Sequence, residues 1–269
     1  MAADAREKPI NIKNLVVDEV SYQKPLRFDP ERDIPQSDIE GMLGAVDQRG
    51  PDHTFYLLLL LPERRNNMRL DDSKFIELRD RFKKAITSEA PESAIYSAAY
   101  IKILFPEKFV SINVTEEFAE DCDYKLTEYL QNNRLTEAGV LTEYMALYKL
   151  VFPTKNPMFS ETKEAQTIIE EGFKLKGESF AQFLANLRIT GNPLWKKAAF
   201  DEKHWREYDA NAENFRSGQA WAILGRLYAS MKILAAEKVF VDEEGLHIEM
   251  HKEKPLASGV PQLPEVKKY

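Results

Sequence analysis

AAYIKILFPEKF, residues 98–109, carries an apolar run into a proline, with one lysine set inside the run. Proline has no amide hydrogen, and its ring clashes with the preceding helical turn, so Pro106 reads as the stop of a helix. The stretch is not unique. LLLLLPERR ending at Arg65, YKLVFPTK from Tyr148, LRITGNPL from Leu187 and MKILAAEK from Met231 follow the same plan. Pro62, Pro106 and Pro153 lie 44 and 47 residues apart, and Lys102, Lys149, Arg188 and Lys232 step by 47, 39 and 44. A period of about 40–47 residues is that of a two- or three-helix repeat.

Each occurrence is followed by a helix-start signal, at Asp71, Thr115, Ser160, Asp201 and Asp242, with acidic residues directly after it. A short side-chain oxygen accepts from the first-turn amides, and carboxylates complement the positive end of the helix dipole. Apolar residues then recur at helical spacing: Phe75, Leu78, Phe82 and Ile86; Ala119, Cys122, Leu126 and Leu130; Ala165, Ile168 and Gly172; Trp205, Tyr208 and Ala212. A polar break leads to a second, more apolar helix, predicted over Ala94–Phe105, Ala138–Phe152, Phe180–Ile189 and Gln219–Ala235. Each unit thus reads as an antiparallel helical hairpin.

The expectation is an all-α chain, a right-handed or irregular array of hairpins over residues 51–250. Residues 1–50 form an atypical first segment, in which Ser37 and Glu40 make a capping box for a short helix from about Asp38 to Asp47. Residues 251–269, rich in proline, read as a flexible tail. The pattern is similar to α-solenoids of helical hairpins, the class of TPR, HEAT and armadillo arrays, and to bacterial helical-repeat proteins of no assigned activity. That resemblance implies architecture and no particular chemistry.

Composition narrows the function. Forty-four acidic against 37 basic residues give a net charge of -7, which disfavours broad affinity for nucleic acid or anionic membrane. One cysteine, Cys122, rules out an intrachain disulfide and suits a reducing cytoplasm. The N-terminus has no apolar core of a signal peptide, and the longest apolar run, Phe55–Pro62, is too short to span a bilayer. No GxGxxG or GxxxxGK loop occurs among the 11 glycines.

The candidate contact surface is basic. Lys102, Lys149, Arg188 and Lys232 hold one repeat position, and Arg64, Lys108, Lys155 and Lys238 a second. Stacking would align them into a ladder for an acidic protein segment, or in the alternative for nucleic-acid phosphates. The other reading places both columns at helix C-termini, where cations serve the last carbonyls. An enzymatic alternative rests on Cys122 as nucleophile or on His247 and His251, four apart, as a zinc pair on one helix face. Cys122 falls in the apolar column, and HIEMH is not HExxH. The carboxylates Glu116, Glu117, Glu120, Asp121 and Asp123 read as an acidic first helical turn, and the tryptophans Trp195, Trp205 and Trp221 as core. The expected function is a non-enzymatic, cytoplasmic interaction scaffold without cofactor or metal.

Overall fold

The computed structural model describes residues 35–37, 70–197 and 219–249. The short helix predicted from Asp38, the Phe55–Pro62 run, Arg64, the Asp201 helix start, Trp205, His251 and the tail lie outside the described residues. Within them the chain is mainly helical. Helices α1 (Asp72–Thr87), α2 (Pro91–Leu104), α3 (Glu116–Gln131), α4 (Ala138–Val151), α5 (Lys163–Gly172), α6 (Gly177–Ile189) and α7 (Gln219–Ala235) follow in order, with 3-10 turns at Pro106–Ile112, Met158–Glu161 and Pro193–Lys197.

Local chemistry sets the starts. Asp71 accepts from the amides of Ser73 and Lys74 to open α1, and Thr115 accepts from Phe118 to open α3. The third start is displaced from the expected one. Ser160 sits within a 3-10 turn, and Thr162, two residues on, accepts from the amide of Ala165 to cap α5. The inward face of α5 runs through Ala165, Ile169 and Gly172, with Ile168 partly buried against the core beside them.

The second helices form the interior. α2 packs on α4, α4 on α6 and α6 on α7, while α1 folds back on α2 and α5 lies against α4. From Ala94 to Leu104 every α2 side chain except half-buried Tyr96 is buried, and α6 is buried continuously from Ala181 to Ile189. A helix apolar on all sides is one surrounded on all sides. The first helices are amphipathic by contrast. Leu78, Phe82 and Ala85 of α1 and Phe118, Ala119, Cys122, Leu126 and Leu130 of α3 are buried, whereas Ile86, expected in the core, is exposed.

Gly172 marks the tightest point. A Cβ built there would meet ring carbons of Phe183 at 2.4 and 2.5 Å and the Cβ of Ala138 at 2.9 Å. Glycine lets α5 approach α4 and α6 closely. Gly172→Ala is expected to lower stability by about 1–3 kcal/mol through overpacking, read as a shifted urea midpoint with unchanged slope.

The all-α expectation is corrected at the C-terminal end. Where Asp242 was to open a helix, Lys238–Asp242 (β1) and Gly245–Glu249 (β2) pair antiparallel, with Val239 opposite Ile248 and Phe240 opposite His247. Val239, Val241, Leu246 and Ile248 alternate onto the face that packs against the core, and β1 lies against α6 and α4. Gly245, at φ +126°, takes a backbone conformation that suits glycine at the turn.

Candidate functional site

The cations of the repeated motif lie where the second helices end. Phe105 N–H donates to Ile101 at 2.8 Å and Lys108 N–H to Phe105 at 2.9 Å; Phe152 donates to Tyr148 at 2.8 Å and Lys155 to Phe152 at 3.0 Å. The two FP turns are therefore built alike. Each proline withholds an amide from the helix it ends, leaving late carbonyls short of donors.

The lysine of one helix serves the end of the next. Lys102 Nζ, in α2, donates to the carbonyl of Leu150 near the end of α4 at 2.8 Å. Arg188, in α6, does the same for α7 with more reach: it donates to Ile233 (2.9 Å), Leu234 (2.6 Å), Ala236 (2.6 Å) and Glu237 (3.3 Å), and its guanidinium lies 4.3 Å from the ring centre of Trp195. Lys102 and Arg188 are only 6% and 7% exposed. Burial pulls the Arg188 guanidinium down to about 10, which leaves it charged at neutral pH. Burial also lowers Lys102, opposed by the charges of Glu243 and Asp242 at the hairpin tip.

The step between these two differs. Lys149 of α4 stays within its own connection, 3.4 Å from the carbonyl of Lys155 and from Asn156 Oδ1. The next helix, α6, has no need of it: Gly191, at φ +74°, closes the helix through Gly191 N–H to Arg188 and Asn192 N–H to Leu187. Lys232 is half-buried, its Nζ 6.0 Å from the Tyr228 ring centre.

Among the described residues the second column is paired with carboxylates. Lys108 pairs with Asp72 and Lys155 with Glu116 at 3.5 Å, each joining an FP turn to the first residue of the first helix of its own unit. Lys238 pairs across the hairpin with Glu249 at 3.6 Å. The expected ladder of solvent-facing charge does not form at Lys102 or Arg188. A cation turned toward unpaired carbonyls is held there by them, and at these two positions the helix-end role is the one observed.

The histidine spacing also takes a different form. His247 stands on β2, not on a helix, so the four-residue interval to His251 no longer puts two imidazoles on one helix face. Its ring stacks on Phe240 at 4.7 Å and 9°, and its Nε2 lies 2.7 Å from Asp242 Oδ1. Partial desolvation would raise the Asp242 carboxyl, but His247 and the amides of Glu244 and Gly245 outweigh it and hold the group below its ordinary value of 3.8. A depressed carboxylate stabilises the fold above its unfolded pKa and loses that contribution as pH falls through the folded value. Asp242→Asn should therefore lower Tm at pH 7, and the gap between variant and parent should close as pH falls through the folded value, below the ordinary carboxylate range.

Cys122 is buried in the apolar column of α3, out of reach of a substrate. Asp123 beside it carries a polar interior contact that the sequence did not single out. Its Oδ2 accepts from the Tyr148 hydroxyl at 2.8 Å and its Oδ1 from the Phe159 amide at 3.1 Å. Burial first, and then Asp123, push the Tyr148 hydroxyl far above its ordinary value, so it remains a donor. Among the described residues no three of His, Cys, Asp and Glu converge to hold a metal ion, and no helix is long and apolar enough to cross a membrane.

The outer surface is carried by the first helices and the connections. Val110 is 87%, Tyr124 69% and Met158 64% exposed, and the α1 residues Ile76 and Ile86 are also exposed. The chain matches no protein-family model, no curated protein and no solved structure.

Proposed function

We propose that this chain is a non-enzymatic helical-repeat protein that serves as an interaction scaffold or adaptor, built from antiparallel hairpins with a period of about 40–47 residues. The observation that carries this reading is the reuse of one set of contacts at homologous positions. FP turns of matching geometry follow α2 and α4, an N-terminal carboxylate pairs with a late lysine in Asp72–Lys108 and in Glu116–Lys155, and a buried cation reaches the next helix end from Lys102 and from Arg188.

Such internal fastening makes a stiff body whose inner helices are spent on packing. Binding then falls to the outer faces of the first helices, where large apolar side chains meet solvent. An acidic partner recruited by the Lys102 and Arg188 column is the weaker form of the idea, since those charges are occupied by carbonyls. Placing a photo-crosslinking phenylalanine analogue at Ile76 or Tyr124 should trap another chain in the native cell, and the same analogue at exposed Lys176 should trap less. Absence of a cross-linked chain at both outer positions, in protein that remains folded, would overturn the proposal.

A further inference from the structure

We infer that the outer face of α3, together with the Met158–Glu161 connection, is a docking surface for a basic segment of a partner protein that carries an apolar anchor. The inference rests on the scaffold reading above and names its surface.

On α3, Glu117, Glu120 and Asp121 precede Tyr124 by seven, four and three residues, spacings that put all four on one helical face. All four are exposed. In the connection, Met158 and Glu161 are three apart in a 3-10 turn of three residues per turn, so they share a side as well, and both are exposed. The Asp123–Phe159 hydrogen bond fixes one set beside the other. Tyr124 follows Asp123 and Met158 precedes Phe159, so covalent reach keeps their Cα atoms within roughly 13 Å.

Charge selects the occupant. The neighbouring cations are already engaged: Lys155 by Glu116, and Lys125 by Glu89 at 3.1 Å and Glu128 at 3.2 Å. Among the described residues Glu117, Glu120, Asp121 and Glu161 form no ion pair, and of the described cations close by in sequence exposed Lys163 stands against them without a carboxylate. A partner covering Tyr124 and Met158 with apolar atoms would strip water from these carboxylates, a cost that lysine or arginine on the partner would offset and an acidic segment would deepen. Tyr124 offers the large, stiff ring that anchors such contacts, and Met158 a side chain that adapts to the shape laid on it.

The test uses the full chain, labelled with nitrogen-15, and two short synthetic peptides, one alternating lysine with leucine and one alternating glutamate with leucine. The lysine peptide should shift amide resonances within residues 117–124 and 158–161, weaken with added salt, and bind at least about tenfold less tightly to Tyr124→Ala with Met158→Ala. Glu117→Gln, Glu120→Gln and Asp121→Asn together should flatten the salt dependence, while Glu170→Gln with Glu171→Gln should leave binding unchanged. Shifts located elsewhere, equal binding of the glutamate peptide, or affinity unaffected by these variants would overturn the surface while leaving the scaffold reading standing. No binding of either peptide overturns the surface as well. Loss of self-association in the Tyr124 and Met158 variant, seen by sedimentation, would assign the face to a second copy and overturn a basic partner.

Discussion

Arg188→Met is expected to cost about 3 kcal/mol of unfolding free energy, a loss read as a shifted urea midpoint with unchanged slope. The guanidinium reaches the carbonyls of Ile233, Leu234, Ala236 and Glu237, and no single uncharged side chain of similar length can do so. Bonds to a charged donor contribute about 1.5–3 kcal/mol each, and they are not additive around one head group. Part of the sum is offset because methionine need not be stripped of water as a cation must. Arg188→Lys should recover only part of the loss, since an ammonium is a point donor and cannot span four oxygens. Lys102→Met orphans one carbonyl, that of Leu150, and should cost less than Arg188→Met. Equal costs at the two positions would show that the carbonyl count does not govern the effect.

Asp123→Ala should be of similar size, about 3 kcal/mol, because it strands two buried donors at once, the Tyr148 hydroxyl and the Phe159 amide. A double-mutant cycle separates them. In the Tyr148→Phe background the hydroxyl is already gone, so Asp123→Ala should cost less there, with a coupling of about 1–2 kcal/mol. Additive losses would mean that Asp123 acts chiefly through the amide and the connection it holds in place.

The interior was legible in the sequence because its signals are redundant. A helix predicted over Ala138–Phe152 is observed over Ala138–Val151, and Gln219–Ala235 agrees at both ends. In the first case, an apolar run, a cation near its end and a proline all mark one boundary. The hairpin was not legible, for a specific reason. Asp242 accepts from the amides two and three residues on, as an N-cap does, so a carboxylate followed by Glu243 and Glu244 is ambiguous between helix start and turn. The alternation of Val239, Val241, Leu246 and Ile248 around Gly245 was the discriminating pattern.

The basic columns show a different limit. Their spacing was visible, but spacing alone cannot say whether a lysine turns toward solvent or toward a neighbouring helix end. A helix end whose late carbonyls lack partners takes a donor from its neighbour, as α4 does from Lys102 ahead of Pro153 and as α7 does from Arg188 with no proline near its end. Asp123 was hidden because it sat in an acidic run that a helix N-terminus explains. Among Glu116, Glu117, Glu120, Asp121 and Asp123, only Asp123 is buried.

The hairpin has a consequence for how the chain is made. Its tip carboxylates act on Lys102 from about 140 residues downstream, and β1 lies across α6 and α4. During synthesis α1 to α4 leave the ribosome well before residue 249, so for that interval α4 lacks the strand that later packs on it and Lys102 of α2 lacks the carboxylates that later act on it. Their completion waits on the last of the described elements to emerge. A nascent chain stalled before Lys238 should therefore be more open to protease around α2 and α4 than the finished protein, although every residue of those helices is already present.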